Sequence, residues 1–369
     1  MILRFLRRFL GVQELPERAH HLIQKVVLSV IFLDLIWFLS STFYVLFVID
    51  SVGMEQLGVL LGISFLLQAI LDYPSGTIGD WIGQRWILFI AFLVEGFAYV
   101  ALTIAETFSG LLIVYIFRAI AFSQRSGAIE TWLDNNYKIA AVDTDPERET
   151  YKLFIGRWAT IDVCIEGISS VVGGVIATIY FRKAIFAIQA IGMFILAGLF
   201  LFIARDFPEI EKPEKSISNY FRLMNEGLRF VFLNPMMLLF VAGICVHGIM
   251  GILWFEMIMF PLYYGYTGSD AGTSILRFVV LIIGIPLTFQ ASKFASKLSI
   301  NWLPWMRFID TTFFFWGIAV LTIWFPIDKN TFTMVAVGLV IVLYTSIWFF
   351  YQSGNILQQR LFLDLVPDR

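Results

Sequence analysis

The chain has 369 residues, 59% of them hydrophobic and only 15% charged, with a mean hydropathy of +0.81. Soluble domains sit nearer about 45–50% apolar and about 25% charged, so the composition is that of an integral membrane protein. A formal net charge of -2 leaves no basic footprint for nucleic acid, and Cys164 and Cys245, far apart inside apolar runs, support neither a disulfide framework nor a metal site.

Residues 1–24 open with MILRFLRRFL, in which Arg4, Arg7 and Arg8 interrupt the apolar residues too often for a secretory signal. A short amphipathic segment on the cytoplasmic surface fits better. Crossing a bilayer takes about 20 mostly apolar residues. Ten such runs follow, at 25–48, 56–78, 86–105, 109–132, 156–179, 184–204, 234–262, 270–291, 303–325 and 331–350. Six fall within 25–204 and four within 234–369, separated by a charged connector, 205–233, that carries Pro208 and Pro213. In that connector Ile217, Phe221, Met224 and Leu228 recur at helical spacing, which predicts a helix lying along the membrane surface. With the N-terminus inside, nearly all the loop Lys and Arg residues are cytoplasmic, and only Arg182, Lys183 and Lys329 lie opposite. That bias sets a cytoplasmic N-terminus in a cell membrane, plasma or inner.

The second run ends in LDYPSGTIGDWIGQR, Leu71–Arg85, where Gly76 and Asp80 are four apart and so share a helix face. Gly76, Asp80, Gly83 and Arg85 resemble the loop between the second and third helices of the major facilitator superfamily, although Trp81 and Gln84 replace two expected basic residues. Ser292, Ser296, Lys297 and Ser299 echo the spacing faintly after the eighth run, without the acid. The resemblance implies an all-α, polytopic bundle of two halves and twelve helices, in which those four residues belong to a cytoplasmic gate. Asn355 and Val366-Pro367-Asp368-Arg369 look like the family's loop after the tenth helix, so a chain that stops two helices short is the expectation.

Ionisable side chains inside spans are candidate functional groups, because burial there is costly without a partner or a cavity. Asp34 lies in the first run, Glu95 in the third and Arg118 in the fourth, with Arg125 seven residues on and on the same face. Arg118 resembles an arginine of proton-coupled family members. It could hold an anionic substrate or favour the charge of a carboxylate, or it could simply fasten helices by pairing with Asp34 or Glu95. In the fifth run Asp162 and Glu166 are four apart, so both carboxylates lie on one face and could share a proton. Ser169-Ser170-Val171-Val172-Gly173-Gly174 stands where exporters of the family have Gly-Pro, two residues and Gly-Gly, which leaves the transport direction open. In the second half His247, Arg277 and the Arg307/Asp310 pair are intramembrane candidates, the last as a structural pair.

These residues point to a carrier working by alternating access, coupled to protons or another ion and exporting small organic compounds. Uptake of a small polar or anionic nutrient, held by Arg118 and Arg277, is the alternative. A receptor or scaffold that kept the fold without transport is a third reading. The spans offer no catalytic cluster, phosphate-binding loop or nucleophile elbow, so an intramembrane enzyme is disfavoured and no cofactor is implied.

Overall fold

The computed structural model describes residues 7–210, 222, 225, 229, 231–324 and 333–365. They form helices throughout and fall into two compact units, Met1–Asn225 and Glu226–Arg369. The surface helix expected in the 205–233 connector rests on residues that are mostly outside this description, as do Pro367, Asp368 and Arg369.

Unit 1 contains α1 (Glu17–Trp37), α2 (Tyr44–Val52), α3 (Met54–Ile82), α4 (Gln84–Ile104), α5 (Phe108–Arg125), α6 (Ala128–Ala140), α7 (Glu149–Ile179) and α8 (Arg182–Ile203). Helix α4 packs most extensively on α8 and α5, α5 also packs on α3, and α1 lies against α7 and α8. Unit 2 contains α9 (Pro235–Leu253), α10 (Met259–Thr267), α11 (Asp270–Ala295), α12 (Leu303–Trp324) and α13 (Thr333–Leu365), with α13 packed on α11 and α12. A π turn, Trp254–Ile258, joins α9 to α10.

Among the described residues eight segments are long and apolar enough to cross a membrane: Glu17–Val52, Met54–Asp72, Gln84–Ile104, Glu149–Ile179, Arg182–Ile203, Pro235–Thr267, Asp270–Ala295 and Gly338–Gln358. The two further runs expected at 109–132 and 303–325 are helical but are not among these eight. The first of them carries Arg118 and Arg125 and breaks at Ser126–Gly127, where Gly127 takes a left-handed φ of 71°. Large apolar side chains such as Leu66, Ile104 and Ile191 stand exposed, 61% or more for each, as lipid-facing residues do.

The first run is not one continuous helix. After α1 the chain tightens into a 3-10 turn, Phe38–Ser40, before α2 begins, which frees carbonyls at the end of α1. No water reaches such groups in a bilayer, so protein donors must satisfy them. Ser169 donates to Leu35 O at 2.5 Å, and Gln189 Nε2 donates to Ile36 O and Trp37 O at 2.9 and 3.0 Å. The same break brings backbone against backbone: a Cβ on Gly173 would collide with the carbonyl of Leu39. Ser169, one of the two serines that interrupt the exporter-like pattern, therefore has a structural task.

Three loop features also stand out. The helix containing Gly76 and Asp80 runs on to Ile82 and turns only at Gly83, whose φ of 96° suits glycine. The faint repeat of that motif is not repeated in backbone geometry, because Ser299 sits at φ -74° ahead of a 3-10 turn. Asn355, expected in a loop, lies inside α13, which extends to Leu365.

Between α6 and α7, outside the spans, Asp145 organises the connection. Its carboxylate accepts from Tyr137 OH at 2.6 Å and from the amides of Tyr151 and Thr150 at 3.0 and 3.2 Å. Burial works against the charge, but the Tyr137 hydroxyl and the amides outweigh it and hold the carboxyl below its usual range.

Candidate functional site

Four helices of unit 1 bring the predicted charges together. Trp37 lies three residues after Asp34 on α1, and the two share a face. Helix α4 contributes Glu95 and, one turn on, Tyr99; α5 contributes Arg118 and Arg125; α7 contributes Asp162 and Glu166. The large apolar residues around them are the aromatic core of the unit, in which Phe43, Phe47 and Tyr44 meet Phe186.

Arg118 Nε donates to Glu95 Oε1 at 3.2 Å, and Glu95 is only 3% exposed. The guanidinium also lies over three rings, 4.4 Å from the Tyr44 centroid, 5.5 Å from Trp37 and 5.7 Å from Tyr99. Of the two partners open to Arg118 in the sequence, the structure selects Glu95. The arginine is compensated twice, by a carboxylate and by ring faces whose negative potential attracts a cation. Arg125 sits 4.0 Å over Trp37 and within electrostatic reach of both Asp34 and Glu95.

Asp34 on α1 and Asp162 on α7 face each other at close range, and Glu166 lies within electrostatic range of both. Asp34 is 8% exposed, and its Oδ2 has no hydrogen-bond partner. Two carboxyls can share a hydrogen bond only when one carries a proton. The spacing of Asp162 and Glu166 had put both on one face; the closer partner is Asp34, on another helix.

Unit 2 holds a second polar group. His247 Nε2 is 3.9 Å from Asp310 Oδ2, beyond hydrogen-bond distance, and its ring stacks on Tyr351 at 5.7 Å. Arg307 donates to Asp310 at 3.2 Å, to Tyr351 O at 3.4 Å, to Asn355 at 2.6 Å and to Gln358 at 2.7 Å. Arg277, 5% exposed, reaches Tyr344 OH at 3.3 Å and Met259 Sδ at 3.7 Å, with its guanidinium 5.5 Å from the Phe255 ring. The predicted His247 and Arg277 thus do not touch each other, but both adjoin one row of rings, Arg277 at Tyr344 and His247 at Tyr351. The side chain of Asp80 lies outside the described residues, and Arg85 stacks on its neighbour Trp86 at 4.9 Å.

Sequence reasoning missed Tyr44, Tyr99 and Trp37 as the surroundings of the arginines. The three-residue offset of Trp37 from Asp34 was the available signal. Among the described residues no group of three His, Cys, Asp or Glu side chains is placed to hold a metal ion.

The described fold is similar to crystal structures of membrane carriers. The nucleoside transporter NupG aligns over 94% of this chain and 84% of its own, with a TM-score of 0.68 and 14% identity. A bacterial homologue of the human lysosomal transporter Spinster aligns over 95% of this chain and 79% of its own, with a TM-score of 0.61 and 14% identity. At these identities the likeness shows the fold alone. Among curated proteins none matches the sequence. The model of the Major Facilitator Superfamily matches residues 26–369. This chain therefore belongs to the Major Facilitator Superfamily and is a multi-pass membrane transporter.

Proposed function

We propose that the chain is a proton-coupled secondary transporter that exports small organic compounds by alternating access, and that the Asp34–Asp162 pair carries the proton. The carrying observation is the approach of these two carboxyls, one of them buried, within a span-forming unit that also brings Glu166 and Arg125 near Asp34. A solute-driven change in the distance between α1 and α7 would break the shared hydrogen bond and leave the two acids competing with water for one proton. Arg118, already matched by Glu95, keeps the helices together and has little charge to spare for an anionic nutrient, which weighs against Arg118 as an anion ligand. Gly76, Asp80, Gly83 and Arg85 form part of a cytoplasmic gate in this proposal, and the cytoplasmic N-terminus follows from the loop charges.

The test is transport by purified protein in proteoliposomes with an imposed pH gradient. Asp162→Asn and Asp34→Asn should abolish gradient-driven accumulation of a carried solute while solute exchange without a gradient persists. Accumulation at the wild-type rate in both variants would overturn the assignment.

A further inference from the structure

Unit 2 contains a cavity of about 60 Å³ lined by residues of α9, the π turn, α12 and α13. A water needs ~10–15 Å³ by this measure, so the space matches about four waters. One wall is a ladder of rings. Tyr344, Trp348 and Tyr351 recur at positions i, i+4 and i+7 of α13, stacked at 5.7 Å with interplanar angles of 26° and 29°. Trp254 continues the ladder against Tyr344 at 6.2 Å and 26°, and His247 closes its other end against Tyr351. The π turn puts the adjacent residues Trp254 and Phe255 both on the lining, which a regular helix does not do for neighbours.

Polar groups reach the cavity at one end, from His247, Asp310 and Thr311. The charge there is already balanced. Asp310 takes a hydrogen bond from Arg307 and another from Thr311, and Arg307 is further tied to Asn355, Gln358 and a backbone carbonyl. At that end a charged ligand would have to shed its water against aromatic walls and charges that already face one another, while the other cation near the lining, Arg277, is engaged by Tyr344 OH, Met259 and the Phe255 ring. An uncharged ring loses little and gains contact with the ladder.

Resting on the transport reading above, we infer that this cavity binds the substrate as an uncharged, planar, ring-bearing compound with one hydrogen-bonding edge, its ring against Tyr344 and Trp348 and its edge toward Thr311 and Asp310. Non-planar polyols and ionised compounds are excluded as the preferred class.

Paired probes test this on purified full-length protein by saturation-transfer NMR. Uracil is compared with its puckered analogue 5,6-dihydrouracil, phenol with cyclohexanol, and both planar compounds with benzoate and benzylammonium. The expected result is that each planar neutral member binds at least tenfold tighter than its saturated or charged counterpart. Trp348→Ala should weaken that binding at least tenfold and Trp348→Phe should recover most of it. Trp348 also donates to Thr288, so a variant that leaves this contact alone is needed. A Cβ at Gly251 meets nothing within 4 Å, and Gly251→Leu should fill the cavity and abolish binding with the fold intact. Tightest binding by a charged or saturated probe, or unchanged binding in Gly251→Leu, overturns the inference. Solute exchange in proteoliposomes separates the two readings: exchange of only non-planar or ionised solutes sinks this inference and keeps the carrier, whereas no exchange of any solute sinks the carrier.

Discussion

Replacing Glu95 by leucine removes the carboxylate partner of Arg118 and leaves a guanidinium at 22% side-chain exposure among Tyr44, Trp37 and Tyr99. Breaking one side of a buried ion pair costs about 3–5 kcal/mol, because the remaining charge stays desolvated. Ring faces recover about 0.5–2 kcal/mol of this when a cation lies against them. The single variant Glu95→Leu should therefore lose about 1–4.5 kcal/mol. Arg118→Met leaves Glu95 buried at 3% exposure with no ring face suited to an anion, and should lose about 3–5 kcal/mol. The double variant has no stranded charge, so it should be more stable than the sum of the singles by at least about 2 kcal/mol. Unfolding free energies from titration with a denaturing detergent, monitored by tryptophan fluorescence, give all four corners of this cycle. Losses that add to within about 0.5 kcal/mol would refute the pairing, because independent sites behave that way.

Two further substitutions probe the frame around the site. Gly173→Val drives a side chain into the Leu39 carbonyl and separates α7 from the turn after α1; it should lower the yield of folded protein more than Gly198→Val, where a Cβ meets nothing within 4 Å, as size-exclusion recovery would show. The depressed Asp145 carboxyl contributes stability that is complete above its unfolded pKa of about 3.9 and disappears as pH falls through the lower folded value. Asp145→Asn, which keeps the shape and loses the charge, should flatten the acid limb of a stability-against-pH curve; an acid limb identical to wild type would contradict the linkage.

The membrane-bundle fold was legible because a span is a local property, written in about 20 consecutive residues. The break at Ser126–Gly127 falls inside the 109–132 run, which was read as continuous although a glycine marks the place. The break after Trp37 has no such mark, since its carbonyls are rescued by Ser169 and Gln189, more than 130 positions away. The site shows the same division. Helical spacing put Asp162 and Glu166 on one face and Arg118 with Arg125 on another, but no spacing rule says which faces meet. Asp34 was visible as a buried acid and its pairing with Asp162 was not. The loop expected around Asn355 failed for a related reason, because Arg307 reaches across from α12 to bond Asn355 and Gln358 and so gives a polar stretch of α13 a partner inside the helix bundle.

The central claim is a proton held between Asp34 and Asp162. Infrared difference spectroscopy of the lipid-reconstituted protein, at the pH used for transport, tests it without knowledge of the substrate. Wild type should show the carbonyl stretch of a protonated carboxylic acid, shifted by deuterium exchange, and Asp34→Asn and Asp162→Asn should each lose it. A wild-type spectrum without that band, or a band that survives in both variants, would contradict the account.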